Sequence, residues 1–197
     1  MPEFIQIKNK KFVILETKAT HHDHSTYTST WSNRPYLIRV FVDDEHYKRA
    51  LADYKTLKHA GINMAKMCFH DEAQKVIVFD LFPEDDCLTD LSKGPLSETH
   101  FQALFSLYRF ARFSKVALDW EPQNFMLRGS QMFYLPTKWS PMKDENKFET
   151  SEAYRTWFLG REGRGLLSRK GYDISSLPFL KDGEVSKTSV LMVTLYW

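Results

Sequence analysis

The chain has 197 residues, of which 43% are hydrophobic and 15% aromatic, enough apolar material for one sizeable core or two smaller ones. Its 27 basic and 25 acidic residues leave a formal net charge of +2, which predicts no strong attraction to nucleic acid. No run approaches the roughly 18 apolar residues that span a bilayer, no secretory signal is apparent, and two distant cysteines, Cys68 and Cys87, argue against a disulfide framework. We therefore expect a cytoplasmic protein with no membrane span and no nucleic-acid partner.

The first part of the chain is rich in β-forming residues that alternate with polar ones. This pattern predicts four antiparallel strands, at residues 4–7, 11–16, 26–31 and 36–42. Apolar residues then recur at helical spacing over residues 45–59, and Gly61 is expected to end that helix. Two further strands are predicted at residues 64–69 and 76–79.

The second part of the chain reads as mainly helical after a polar connector at residues 82–86. Ser97 is the expected N-cap of an apolar helix that continues to about residue 110, and residues 131–135 resemble a strand. A polar loop at residues 138–147 should lead to a helix at about residues 151–169, with Gly171 as its cap and residues 160–165 as a weakened or kinked stretch. Residues 185–197 are apolar, and helix is preferred to strand there.

The order of these elements predicts two domains, residues 1–82 with the sheet and one helix, and residues 83–197 with mostly helices. Within the second domain, residues 117–127 contain Asp119, Pro122 and Asn124 followed by apolar residues. This segment resembles the protein-kinase catalytic loop, His-Arg-Asp-Leu-Lys-Pro-Glu-Asn, and the corresponding loop of aminoglycoside phosphotransferases. The resemblance implies an α+β, two-lobed protein-kinase-like fold, with an N-terminal antiparallel sheet plus one helix and a reduced, mainly helical C-terminal lobe.

The resemblance also implies roles for individual residues. Asp119 would accept the proton of the attacking hydroxyl, and Asn124 would hold Mg²⁺ on the phosphates of ATP. Arg39 stands in the strand before the first helix, where kinases carry the lysine that contacts the α- and β-phosphates. Its acidic partner in the helix would be Asp53, with Glu45 as the alternative.

The hinge between the lobes would fall at the end of the last predicted strand of the first domain. There Asp80 and Leu81 would bind adenine through backbone groups. With the phosphate and metal residues, they complete a site for ATP with Mg²⁺.

Three parts of the kinase pattern are missing: the glycine-rich loop, the aspartate of Asp-Phe-Gly, and the Ala-Pro-Glu segment with its long activation loop. No glycine precedes Gly61, and residues 21–24 read His-His-Asp-His where a glycine-rich phosphate loop would lie. These side chains form either a polar hairpin or a transition-metal site.

The second missing part is the metal-binding aspartate of Asp-Phe-Gly. By register its place falls on Pro136 or Thr137, so the principal metal carboxylate is lost unless Glu121, Asp144 or Glu145 substitutes for it.

Two functions remain open after these departures. The first is a pseudokinase that acts in binding or regulation through a protein partner, with weak or no phosphotransfer. The second is an active ATP-dependent phosphotransferase with an atypical metal site, acting on a protein or a small-molecule substrate. An unrelated small α+β domain is the third alternative.

Overall fold

A six-stranded antiparallel sheet forms from the first part of the chain. The structure, a computed structural model, describes residues 2–136, 138–148, 152–184 and 187. The sheet has the strand order β1-β2-β3-β4-β6-β5. Its strands are β1 (Phe4–Ile7), β2 (Lys10–Thr20), β3 (His24–Trp31), β4 (Arg34–Phe41), β5 (Met67–Asp71) and β6 (Val76–Asp80). Helix α1 (Asp44–His59) connects β4 to β5.

The sheet curls around its own apolar face. Gln74, in the turn between β5 and β6, donates a hydrogen bond from Nε2 to the carbonyl oxygen of Gln6 in β1, at 2.7 Å. The enclosed core includes Phe12, Ile38 and Val78, each 0% exposed. Alternation along the strands places these residues on one face, as the sequence pattern predicts.

Helix α1 packs against the other face of the sheet. The rings of Tyr47 and Phe41 lie 6.1 Å apart, and those of Tyr54 and Phe79 lie 5.8 Å apart. The helix ends as predicted, because Gly61 takes a φ of 78° and the amide of the next residue bonds back into the last turn.

The remaining elements follow β6 in the chain. They are α2 (Cys87–Leu91), α3 (Glu98–Phe113), β7 (Val116–Ala117), β8 (Phe125–Arg128), β9 (Gln131–Tyr134), β10 (Ser140–Pro141) and α4 (Arg161–Arg169). Short 3₁₀ segments span Pro122–Asn124, Asp144–Asn146 and Glu152–Trp157. Strands β8 and β9 form a hairpin, and β10 pairs with β7.

The chain divides into two compact units. One contains the residues up to Lys55 together with Ala65–Pro83, and the other contains Thr56–Met64 together with the described residues from Glu84 onward. The second unit has an aromatic core around α3, in which Trp157, Phe125 and Phe148 are each 0% exposed.

The predicted long helix at residues 151–169 is wrong. A 3₁₀ segment, Glu152–Trp157, precedes α4, which begins only at Arg161. Glycine at position 163 accommodates the tight turn at this break, because a Cβ there would lie 1.9 Å from the carbonyl oxygen of Phe158. Gly171 follows the helix with a φ of 85°, in agreement with its predicted role.

Two other local predictions differ from the structure. The predicted strand at residues 64–69 is displaced toward the C-terminus as β5, with the turn completed at Lys75, whose φ is 55°. Helix α2 was not predicted, because its only clear signal is the N-cap Asp86, which accepts a hydrogen bond from the Thr89 amide at 2.8 Å. Residues 185–197, apart from Lys187, lie outside the described residues.

The predicted α+β class agrees with the structure, which combines antiparallel sheets with helices. In the part of the chain that the structure describes, no helix is long and apolar enough to cross a bilayer.

Candidate functional site

The predicted catalytic residues lie together in the loop between β7 and β8. Asp119 follows β7 and is exposed, and Asn124 ends the 3₁₀ segment that Pro122 begins. The side-chain Nδ2 of Asn124 donates a hydrogen bond to the backbone carbonyl oxygen of Asp119 at 3.2 Å. This bond closes the loop, so the five-residue spacing found in the sequence brings the two residues into direct contact.

The last residue of β9 and the residue that follows it hold the two ends of this loop. The Asp119 amide donates to the hydroxyl of Tyr134 at 3.2 Å, and the same hydroxyl donates to the carbonyl oxygen of Lys138 at 2.9 Å. The amide of Leu135 donates to the carbonyl oxygen of Asn124 at 2.8 Å. The positions of Asp119 and Asn124 therefore depend on the end of a neighbouring strand.

Trp120 anchors the loop in the core of the second unit. It is 3% exposed and stacks on Phe125 with an interplanar angle of 4°. Its carbonyl oxygen accepts a hydrogen bond from Nε1 of Trp157 at 2.7 Å, and its own Nε1 donates to the carbonyl oxygen of Asn146 at 3.3 Å. Burial of Trp120 leaves the adjacent Asp119 at the surface.

Glu121 and Gln123 form a side-chain pair inside the same loop. Both are half-buried, and the Nε2 of Gln123 donates a hydrogen bond to the Glu121 carboxylate. The other polar atom of Gln123, Oε1, is buried without a hydrogen-bond partner among the described residues. Residues 116–127 contain no lysine or arginine, so the loop is acidic.

Three acids, Glu121, Asp144 and Glu145, could replace the missing metal carboxylate, and their surroundings differ in the structure. Pro136, which follows β9 by two residues, has no side-chain oxygen, and Thr137 lies outside the described residues. Asp144 pairs with Lys147 at 2.5 Å and Glu145 pairs with Lys143 at 3.7 Å. The Lys147 ammonium lowers the pKa of Asp144.

Glu121 differs from these two acids. It lies between Asp119 and Asn124 and makes no ion pair in the described ranges. Of the three candidate acids, Glu121 is the one that lies in the loop and forms no ion pair with a lysine among the described residues.

The predicted phosphate residue, Arg39, lies in β4 within the first unit. It is half-buried, with its guanidinium carbon 5.3 Å from the centre of the Phe79 ring. Asp53 is half-buried in α1, whereas the alternative, Glu45, is exposed and pairs with Arg49 at 3.6 Å. The ion pair between Arg39 and Asp53 stays a prediction.

The predicted hinge residues lie at the end of β6: Asp80 is its last residue and Leu81 comes directly after it. The Asp80 amide donates to the carbonyl oxygen of Lys66 at 2.9 Å, and the Asp80 carboxylate accepts from the thiol of Cys68, also at 2.9 Å. Burial and this hydrogen bond raise the pKa of Cys68 to about 12, so the thiol stays neutral. Leu81 is half-buried, and its contact with adenine, like that of Asp80, stays a prediction.

The histidine-rich turn between β2 and β3 is held by its own side chains. His24 lies 2.9 Å from the Asp23 carboxylate through Nδ1, and its ring lies 4.8 Å from that of His21. Burial, followed by the charge of Arg39, lowers the pKa of His24, which favours the neutral imidazole. No three histidine, cysteine or acidic side chains of the described residues are grouped to hold a metal ion, so the transition-metal alternative has no support here.

Sequence reasoning missed two residues of the site. Tyr134 lies at the end of an apolar strand, where nothing local shows that its hydroxyl bonds to the loop. Gln123 lies inside the motif, two positions after Glu121, and this spacing of an amide and an acid could have indicated their hydrogen bond.

Comparisons with known proteins bear on the fold alone. No protein-family profile matches the chain, and no curated protein matches it either. Among solved structures it is similar to one titled "Crystal structure of BubR1 kinase domain", with a TM-score of 0.51 and 10% sequence identity. The similarity covers 70% of this chain and 49% of that one, so the chain spans about half of that structure's length. The chain is therefore similar in fold to a kinase domain over most of its own length.

Proposed function

We propose that this chain is a kinase-like module, with its two units as the two lobes, that acts in binding or regulation and transfers phosphate weakly or not at all. The observation that carries the proposal is the bond from Asn124 to the Asp119 carbonyl oxygen. It belongs to a loop whose backbone is held at Asp119 and Trp120 by the buried side chains of Tyr134 and Trp157, and at Asn124 by the amide of Leu135. Such preorganisation is what phosphoryl transfer requires of a catalytic loop.

The surrounding parts favour binding over turnover. Phosphoryl transfer depends on positioning and on positive charge at the phosphates. Residues 135–139 contain no carboxylate to hold a metal, and the turn at residues 21–23 contains no glycine. Removing one stabilising group of this kind slows an enzyme roughly 10²- to 10³-fold. Two such losses predict a poor enzyme.

The proposed ligand is ATP, with Mg²⁺ as the metal. The Arg39 guanidinium would contact phosphate, with Asp53 as its acidic partner, and the backbone at Asp80 and Leu81 would contact adenine. Asn124 uses its Nδ2 in the loop, which leaves the amide oxygen as the atom it offers to a metal. When bound, Mg²⁺ neutralises charge on the phosphates.

The second candidate is an active phosphotransferase. This candidate is favoured by the exposure of Asp119, because the loop that contains it is anchored in the core at the next residue, Trp120. An exposed acid at this position gives no packing energy, whereas a general base must reach its substrate.

Thermal unfolding with ATP tests the binding proposal. Ligand at ten times its Kd adds about 1.4 kcal/mol to the free energy of unfolding, which raises Tm by a few degrees. We expect this shift in wild type and in Arg39→Lys, which keeps the charge, but not in Arg39→Ala. Arg34→Ala, an exposed position on the same strand, is the control. No shift at millimolar ATP, with or without Mg²⁺ or Mn²⁺, would exclude nucleotide binding.

Transfer of labelled γ-phosphate separates the two candidates. The binding proposal predicts turnover near the background of the metal–ATP mixture in wild type. Clear turnover that Asp119→Asn abolishes, with folding retained, would support the active enzyme instead. Turnover that persists in Asp119→Asn would show that this loop is not the catalytic one.

A further inference from the structure

The acidity of the 117–127 loop sets a problem for a phosphate ligand. Asp119 and Glu121 carry two carboxylates within three residues, and no basic residue lies between residues 116 and 127. The kinase loop that this segment resembles has a lysine at the position of Glu121. Like charges separated by a few ångströms repel strongly near a protein surface. A nucleotide phosphate can approach this loop favourably only if a cation lies beside the carboxylates.

The contacts of Glu121 show where such a cation would find ligands. Gln123 Nε2 bonds to the carboxylate of Glu121, and Gln123 Oε1, on the same carbon, is buried without a partner in the described part of the chain. A buried acceptor without a partner costs about 1–3 kcal/mol. Gln123 therefore holds the Glu121 carboxylate in place through its Nε2, and carboxylate and amide oxygens are ligands for hard divalent cations.

The other carboxylates offered by the sequence are less suitable. Asp144 and Glu145 lie on a separate 3₁₀ segment and already pair with Lys147 and Lys143. A metal at either one would have to displace an ammonium group. Glu121 would need only to keep its hydrogen bond to Gln123.

We propose that Glu121 is a carboxylate ligand of a divalent cation, Mg²⁺ or Mn²⁺, at this loop. Asn124 supplies a second oxygen, and Gln123 is the residue that positions Glu121. The inference rests on the proposed function and deepens it, because Glu121 would give a bound metal a carboxylate ligand from within the loop, while residues 135–139 still lack one. Mg²⁺ typically binds one or two carboxylates and completes its shell with water and phosphate oxygens, so a cluster of three acids is not required.

Binding of Mn²⁺, measured from the electron paramagnetic resonance signal of the free ion, tests the assignment without any turnover. Titrations use the full chain with and without a non-hydrolysable ATP analogue. We expect Glu121→Gln to weaken Mn²⁺ binding at least about tenfold, and Gln123→Ala to weaken it by about tenfold, as for residues that orient metal ligands. The controls Asp144→Asn and Glu145→Gln should bind as wild type does. Metal-free Tm values show whether each variant is folded.

A charge reversal supplies an independent variant. Glu121→Lys places an ammonium group in the loop, and we expect it to lose Mn²⁺ binding while the ATP analogue binds without metal. Unchanged Mn²⁺ affinity in Glu121→Gln would overturn the inference. So would loss of binding in either control, or an absence of Mn²⁺ binding by wild type under both conditions.

The failure of this inference is distinct from the failure of the proposed function. If the ATP analogue raises Tm of wild type without metal, and Mn²⁺ adds nothing, nucleotide binding stands and the metal assignment falls. If the analogue produces no shift under any condition, the proposed function itself falls.

Discussion

At the scale of single residues, the candidate site depends on a hydroxyl group that no motif contains. Tyr134 is 0% exposed, and its hydroxyl bonds to the Asp119 amide and to the Lys138 carbonyl oxygen. Asp119 itself is exposed and has no packing of its own. Its backbone position is therefore set partly by Asn124 within the loop and partly by Tyr134 outside it.

Tyr134→Phe should destabilise the protein without changing the shape of its core. Removing the hydroxyl leaves the Asp119 amide and the Lys138 carbonyl oxygen without this partner, at a cost of about 1–3 kcal/mol. Urea denaturation measures this loss. Tyr36→Phe is the matched control, because the Tyr36 side chain is buried but its hydroxyl makes no hydrogen bond in the described ranges. Equal losses in the two variants would contradict the proposed role of the Tyr134 hydroxyl.

The residues that could be predicted were those close together in sequence. Asp119 and Asn124 are five positions apart, and their contact follows from the motif. Tyr134 and Trp157 reach the same loop from 15 and 37 positions away, and no local pattern encodes such contacts. The lysine that pairs with Asp144 lies only three positions along the chain, so that ion pair could have been predicted from the sequence.

At the scale of elements, strands and helices with clear periodicity were predicted to within a few residues. Strands β1, β3 and β4 and helix α1 have regular alternation or spacing, and their turns carry recognisable residues. The helix predicted at residues 151–169 failed because helical spacing continues through Glu152–Trp157 into α4. The break is accompanied by a close backbone approach at Gly163, which the spacing of apolar residues cannot reveal.

Gly163→Ala tests the effect of this close approach. A Cβ would lie 1.9 Å from the carbonyl oxygen of Phe158, a backbone atom that cannot rotate away. We expect a loss of about 3 kcal/mol or more in the free energy of unfolding. Gly165→Ala, on the same helix, places its Cβ no closer than 3.5 Å to the end of the Arg169 side chain. That control should be neutral or stabilising by up to about 1 kcal/mol, because alanine favours helix.

Thermal or urea unfolding of the two variants provides the comparison. Similar stabilities for Gly163→Ala and Gly165→Ala would mean that the Phe158 carbonyl moves freely, and the close approach would place no constraint on residue 163.

At the scale of the whole molecule, one helix contributes to two cores. The first part of α1 packs against the sheet through Tyr47 and Tyr54. Its last turn and the following residues belong to the second unit, where Leu57 is 0% and Ile62 3% exposed within the aromatic core. The chain order predicted a boundary near residues 82–86, but sequence could not show that residues 56–64 pack with elements much later in the chain.

Leu57→Ala should therefore weaken the second unit, although Leu57 lies among the residues of the first predicted domain. Truncating a fully buried leucine costs about 2–5 kcal/mol. Amide hydrogen exchange should show lost protection in α3, β8 and β9, because these elements contribute to the same core. Ile38→Ala, at a 0% exposed position in the sheet core, is the matched variant and should lower protection in β3, β4 and β6.

If Leu57→Ala reduced protection only in the sheet strands, the assignment of residues 56–64 to the second unit would be wrong. If both variants reduced protection equally throughout, the two cores would unfold as one cooperative system.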